Sequence, residues 1–115
     1  MEMDTADEIL SRTEALLNEM AEANGIAPEN MTSICFTMTP DLHATFPAEA
    51  ARRIGWKYVP VICMQELDII HGMRQTIRVL MSAETDKAQV DIRHIYQERA
   101  VALREDLLTE RDGHR

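Results

Sequence analysis

Residues 4–24 carry the strongest constraint on what this chain folds into. Ile9, Thr13, Leu16, Leu17 and Met20 recur at spacings of three and four, which places them on one face of a helix. Thr5 and Glu8 form a capping-box pattern at its start, and Asn24-Gly25 supplies a stop because glycine accepts the left-handed backbone on which many helices end. A helix with one apolar face must bury that face against another layer, so the rest of the chain has to supply one.

The chain beyond that helix is built from strand-length runs. Pro28-Glu29-Asn30 reads as a turn, and Met31–Met38 is apolar and β-branched enough for a buried strand. Thr39-Pro40-Asp41 breaks that strand. Pro47 is placed for the first turn of a short helix ending near Ile54, with Gly55 as its stop. Residues 58–64 read as a second strand, at a sheet edge or with a local irregularity, because Pro60 has no N–H to give to a ladder. After a turn at His71-Gly72, residues 76–83 alternate. Ile77, Val79, Met81 and Ala83 take one face; Thr76, Arg78, Leu80 and Ser82 take the other. Glu84-Thr85-Asp86 opens a polar break, residues 90–97 suit a short helix with Val90, Ile95 and Tyr96 turned inward, and residues 100–103 suit a last strand. The tail over 107–115, polar from Thr109 onward, is expected to fray. The order α, β, α, β, β, α, β predicts an α/β (α+β) fold, a mixed sheet with helices packed on one side, formed by residues 1–115 as a single domain.

A chain of 115 residues buries about two thirds of the surface its unfolded form exposes, enough for one core. Only five residues are aromatic, so that core rests on aliphatic and Met side chains. Twelve Lys and Arg against twenty Asp and Glu give a formal charge of −8, which repels nucleic acid and anionic lipid. A small anionic substrate is compatible with it only where a few arginines create a local positive site. No apolar run approaches the roughly 18 residues needed to cross a bilayer, and the acidic opening is wrong for a secretory signal; a cytoplasmic protein is the expectation. Cys35 and Cys63 lie in apolar strand-like runs without metal-ligand spacing and are too few for a disulfide scaffold. His43, His71 and His94 likewise have no partner at metal-ligand spacing and read as structural, so no metal site is expected.

Three segments carry more than fold information: Pro40-Asp41-Leu42-His43-Ala44-Thr45-Phe46-Pro47, Tyr58-Val59-Pro60-Val61-Ile62-Cys63-Met64-Gln65-Glu66, and Thr76-Ile77-Arg78-Val79. In residues, order and spacing they resemble the chorismate mutases of the AroH class, over residues 4–106. The resemblance implies a pseudo-barrel homotrimer with sites between subunits, and an intramolecular rearrangement of chorismate to prephenate in aromatic amino-acid biosynthesis, with no cofactor. It implies catalytic roles for Arg78, as the cation beside the substrate's ether oxygen, and for Glu66, as acceptor of a hydrogen bond from the ring hydroxyl. Tyr96 matches the residue that binds a substrate carboxylate, Cys63 a packing and polar contact, Phe46 and Leu103 apolar walls, and Arg52 and Arg104 basic residues at the pocket mouth. Glu49 stands where the family often carries a basic residue, which makes that rim less positive. The family opens with a strand carrying a further active-site arginine, and this sequence begins where that strand would already have ended; an internal start at Met1, with roughly a dozen residues before it in the natural protein, is the expected explanation. A non-catalytic trimeric binding protein of the same fold, holding its ligand through Arg78 and Glu66, is the alternative. A helical interaction module built on residues 4–24 would leave the strand motifs unexplained.

Overall fold

Thr5 sets the start of the first helix. Its backbone is extended and its hydroxyl accepts the Glu8 amide at 3.1 Å, which satisfies one of the orphan N–H groups of the first turn. The computed structural model describes residues 4–97, and in it this helix, α1, spans Ala6–Asn24. The Glu8 carboxylate turns to Arg12 Nε at 2.6 Å, one turn along the helix. At the other end Gly25 has φ 62° and ψ 39°, and the amides of Gly25 and Ile26 donate to the carbonyls of Glu22 and Ala21. This left-handed closure is the reason the helix stops there.

The strands β1 (Met31–Met38), β2 (Val61–Gln65) and β3 (Ile77–Ala83) form one sheet in the order β2-β1-β3. β1 runs parallel to β2 and antiparallel to β3. Parallel neighbours need a crossover, and the short helix α2 (Glu49–Arg53) lies within it. The chain leaves α2 through Gly55, φ 91°, after which the Trp56 amide reaches back to the Ala51 carbonyl and Trp56 turns into the core.

Period two divides the sheet into two faces. Ile34 and Phe36, with Val61, Cys63, Val79 and Met81 beside them, join Leu10, Leu17 and Ala21 of α1 and Ala50 and Ala51 of α2 in one core, closed by Met31, Trp56 and Val59. An ion pair at 2.8 Å between Arg53 and Glu14 ties α2 to α1. Both helices therefore cover one side of the sheet, as the sequence implies. The opposite face carries Cys35, Thr37, Ile62, Met64, Arg78 and Leu80, and no described element covers it. No helix among the described residues is long and apolar enough to cross a membrane.

Two expectations need correction. The second strand begins at Val61, not residue 58, because pairing starts only after Pro60, whose carbonyl accepts the Ile34 amide at 2.9 Å. Residues 90–97 do not form a helix: a single 3₁₀ turn at Gln89–Asp91 gives way to extended backbone at Ile92. The cause is the buried Asn24 side chain, whose Oδ1 accepts the Arg93 amide at 2.8 Å and whose Nδ2 donates to the Arg93 carbonyl at 3.0 Å. Both backbone groups that a helix would pair internally are committed to Asn24 instead. The strand expected at 100–103 and the tail lie outside the described residues.

Candidate active site

Arg78 and Glu66 come from different strands and meet on the helix-free face. Thr37 stands opposite Arg78 in the β1–β3 register and opposite Met64 in the β1–β2 register. Glu66 follows the last residue of β2, and its amide extends the ladder by donating to the Met38 carbonyl at 2.8 Å. Two residues on from Met64, its side chain returns to the face of Thr37 and Arg78. Arg78 Nε lies 2.8 Å from Glu66 Oε1, Nη2 donates to Oε2 at 3.2 Å, and the Thr37 hydroxyl donates to Oε1 at 2.5 Å. The Glu66 side chain is 15% exposed and that of Arg78 59%, so the carboxylate is held within the site while the cation opens to solvent. Such a pair can take a carboxylate or a developing oxyanion on the guanidinium and a hydroxyl on the carboxylate.

A second network aligns the strand that carries Arg78. The Thr39 hydroxyl donates to Asp41 Oδ1 at 2.6 Å and accepts the Thr76 amide at 3.0 Å, while the Thr39 amide donates to the Thr76 carbonyl. Asp41 accepts the Gln75 amide on both oxygens, at 3.0 and 3.1 Å. These bonds hold the Asp41 carboxyl below its usual range, the Thr39 hydroxyl first, with the Gln75 amide and the charge of Arg74 adding to it against the effect of burial. The end of β1 and the entry to β3 are thereby locked together two residues before Arg78.

The remaining expected site residues lie elsewhere. Cys63 pairs with Phe36 on the helix-covered face, packed against the core. Burial pushes its thiol up, opposed by a hydrogen bond from the Ala48 backbone, so it stays protonated and is no nucleophile at neutral pH. Phe46 is 72% exposed just before α2, and Arg52 is exposed on α2. The loop bearing Phe46 is pinned to the start of α1 by Asp4, whose Oδ1 accepts the amides of His43 and Ala44 at 2.9 Å each and whose Oδ2 lies 3.1 Å from His43 Nδ1. Tyr96 is half-buried on a segment anchored to α1 at both ends, by Asn24 at Arg93 and by a 2.9 Å bond from Gln97 Nε2 to Glu19. Leu103 and Arg104 lie outside the described residues. The sheet stands between Cys63 and the Arg78–Glu66 pair, so among the described residues one chain does not bring Cys63 to that pair. Among the described residues no cluster of three His, Cys, Asp or Glu is placed to hold a metal ion.

Thr37 and Asp4 organise these groups without being marked in the sequence, as does Asn24, which the sequence marks only as part of a helix stop. Thr39-Pro40-Asp41 does have a local signal, since Asp beside Pro favours side-chain-capped turns.

Fold and site together define a class: a small α+β protein with a mixed sheet, helices on one face, and a hydrogen-bonded cation and carboxylate open to solvent on the other. The profile of the family "chorismate mutase type I" matches residues 1–107, and the chain belongs to that family. It is 49% identical over 108 residues to the chorismate mutase AroH of Bacillus subtilis (strain 168), covering 93% of this chain and 85% of that one. It is 44% identical over 108 residues to chorismate mutase AroH of Thermus thermophilus, covering 93% and 88%. A solved chorismate mutase from Clostridium thermocellum superposes with a TM-score of 0.86 at 46% identity, covering 88% of this chain and 90% of that one.

Proposed function

We propose that this protein is a chorismate mutase that converts chorismate to prephenate, an isomerisation serving aromatic amino-acid synthesis. The reaction breaks the ether C–O bond and forms a C–C bond within one molecule, with no proton transfer and no covalent enzyme intermediate. The protein's task is to hold a compact substrate conformer and to place a fixed positive charge where negative charge grows. Arg78 supplies that charge at the ether oxygen, Glu66 accepts the ring hydroxyl, and Tyr96 binds a substrate carboxylate. The Arg78–Glu66 pair on an open sheet face is the observation that carries this reading, in a chain whose family and relatives bear the enzyme's name.

Phe46 and Arg52, both exposed in the single chain, complete the site from a neighbouring subunit of a homotrimer, with Cys63 packing behind β2, Leu103 as a further wall and Arg104 at the mouth. Two features support a site shared between copies: Phe46 and Arg52 are exposed at α2, on the other side of the sheet from Arg78, and the face bearing Arg78 also exposes Ile62 and Leu80, at 57% and 72%. The two free thiols suit the reducing cytoplasm.

Chorismate consumption by the purified chain, with prephenate identified as product, tests the activity. Arg78→Ala is expected to lower turnover by about 10² or more, as loss of an oxyanion donor does. Near-normal turnover in that variant would remove Arg78 from the assigned role.

A further inference from the structure

We propose that Thr37 is a positioning residue for this reaction, whose hydroxyl keeps the Glu66 carboxylate in place when Arg78 turns from Glu66 to the substrate. The inference rests on the Arg78–Glu66 site proposed above. The guanidinium fork is closed on both oxygens of Glu66. To meet a substrate's ether oxygen, Arg78 must withdraw part of that fork. A carboxylate held by the guanidinium alone would follow it, keeping the ion pair closed and competing with the substrate for the cation.

Thr37 prevents this from a position paired on both sides. It lies on the central strand, opposite Arg78 on one side and Met64 on the other. Its branched side chain has few rotamers. Its hydroxyl has one proton, and that proton goes to Glu66 Oε1 at 2.5 Å, because the guanidinium has only donors and cannot accept it. With Oε1 fixed by Thr37, Oε2 is the oxygen that receives the substrate's ring hydroxyl once Arg78 Nη2 leaves it. The central strand thus sets which carboxylate oxygen is presented, while the exposed arginine remains able to move.

The hydroxyl contact to Glu66 exists in the substrate complex and in the transition state, so its loss falls on binding more than on turnover. Thr37→Val keeps shape and removes the hydrogen bond. It is expected to raise KM about tenfold with kcat changed by less than about threefold, and Thr37→Ser is expected to restore both. In a Glu66→Gln background, Thr37→Val is expected to add less than about a further twofold, because its effect passes through the carboxylate. Urea unfolding normalises each assay to folded protein, and Thr37→Ala, expected to reproduce the KM rise, replaces Thr37→Val should that variant not fold. Unchanged KM in the hydroxyl-less variant, failure of Ser to restore it, or a full multiplicative loss in the Gln background would each overturn the role. If Glu66→Gln and Arg78→Ala themselves leave the kinetics untouched, the site assignment fails and takes the Thr37 role with it. A damaging Glu66→Gln beside a neutral Thr37→Val refutes Thr37 alone.

Discussion

Asp41 uses one short side chain to tie the end of β1 to the entry of β3, taking the Thr39 hydroxyl and the Gln75 amide while Thr39 takes the amide of Thr76. Gln75 has φ 50°, a left-handed conformation that costs a non-glycine residue energy, and the hydrogen bond from its amide to Asp41 offsets that cost. Because the folded pKa of Asp41 is lowered, its contribution to stability is fully present above its usual value of 3.8 and is lost as pH falls through the lower folded value. Asp41→Asn is expected to cost about 1 kcal/mol near neutral pH. That cost should shrink as urea unfolding is followed down to about pH 3. A gap of constant size across that range would show that the charge on Asp41 contributes nothing. Asp41 and Arg78 are legible in the sequence, the first through its place beside Pro40 and the second through period two. Thr37 is not, because its value depends on which residues of β2 and β3 lie opposite it, and register is a product of folding that no local pattern in Met31–Met38 encodes.

Among the elements, α1 is readable to within two residues because every signal that bounds it is local: Thr5 before it, Gly25 after it, and a three-four apolar repeat between. β1 and β3 are equally plain. Pro60 displaces the start of β2, and the segment after β3 has a helical pattern yet forms no helix because the deciding interaction spans 69 positions, from Asn24 to Arg93. A buried amide that donates and accepts on one distant residue imitates a strand pairing, and it outweighs the weak helical preference of a short segment. Asn24 also donates to the Met20 carbonyl, so it is part of the end of α1 as well as of the clamp. Asn24→Ala is expected to cost about 2 kcal/mol in urea unfolding, since it strips partners from partly buried backbone groups. Hydrogen exchange at the Arg93 amide should accelerate while helical circular dichroism stays unchanged. Unaltered exchange at Arg93 would mean that some other contact holds the segment that carries Tyr96.

For the molecule as a whole, the uneven treatment of the two sheet faces decides the architecture. An antiparallel or mixed sheet with one face in water normally makes that face polar. Here one row of it reads Ile62, Cys35, Leu80 across the three strands, with Met64 in the next row beside Thr37 and Arg78. A contiguous apolar patch of this kind on a small acidic protein marks an interface, and the proposed site residues agree, since Arg52 is exposed on α2 while Arg78 and Glu66 face away from the helices. In the proposed homotrimer a second copy's Phe46 and Arg52 approach the first copy's open face, and three such contacts would close a ring without leaving an apolar face in water. Leu80 is the sharpest probe because it is 72% exposed in the single chain and takes no part in the hydrogen bonds between Arg78 and Glu66. Leu80→Glu would bury an unpaired charge in that interface, a cost of several kcal/mol, whereas Leu80→Met conserves volume and apolarity. Sedimentation equilibrium is expected to show a trimer for the parent chain and for Leu80→Met, and a monomer for Leu80→Glu, with chorismate turnover lost in step with assembly. A parent chain that sediments as a monomer at full activity would refute the shared site and require Phe46 and Arg52 to be dropped from it.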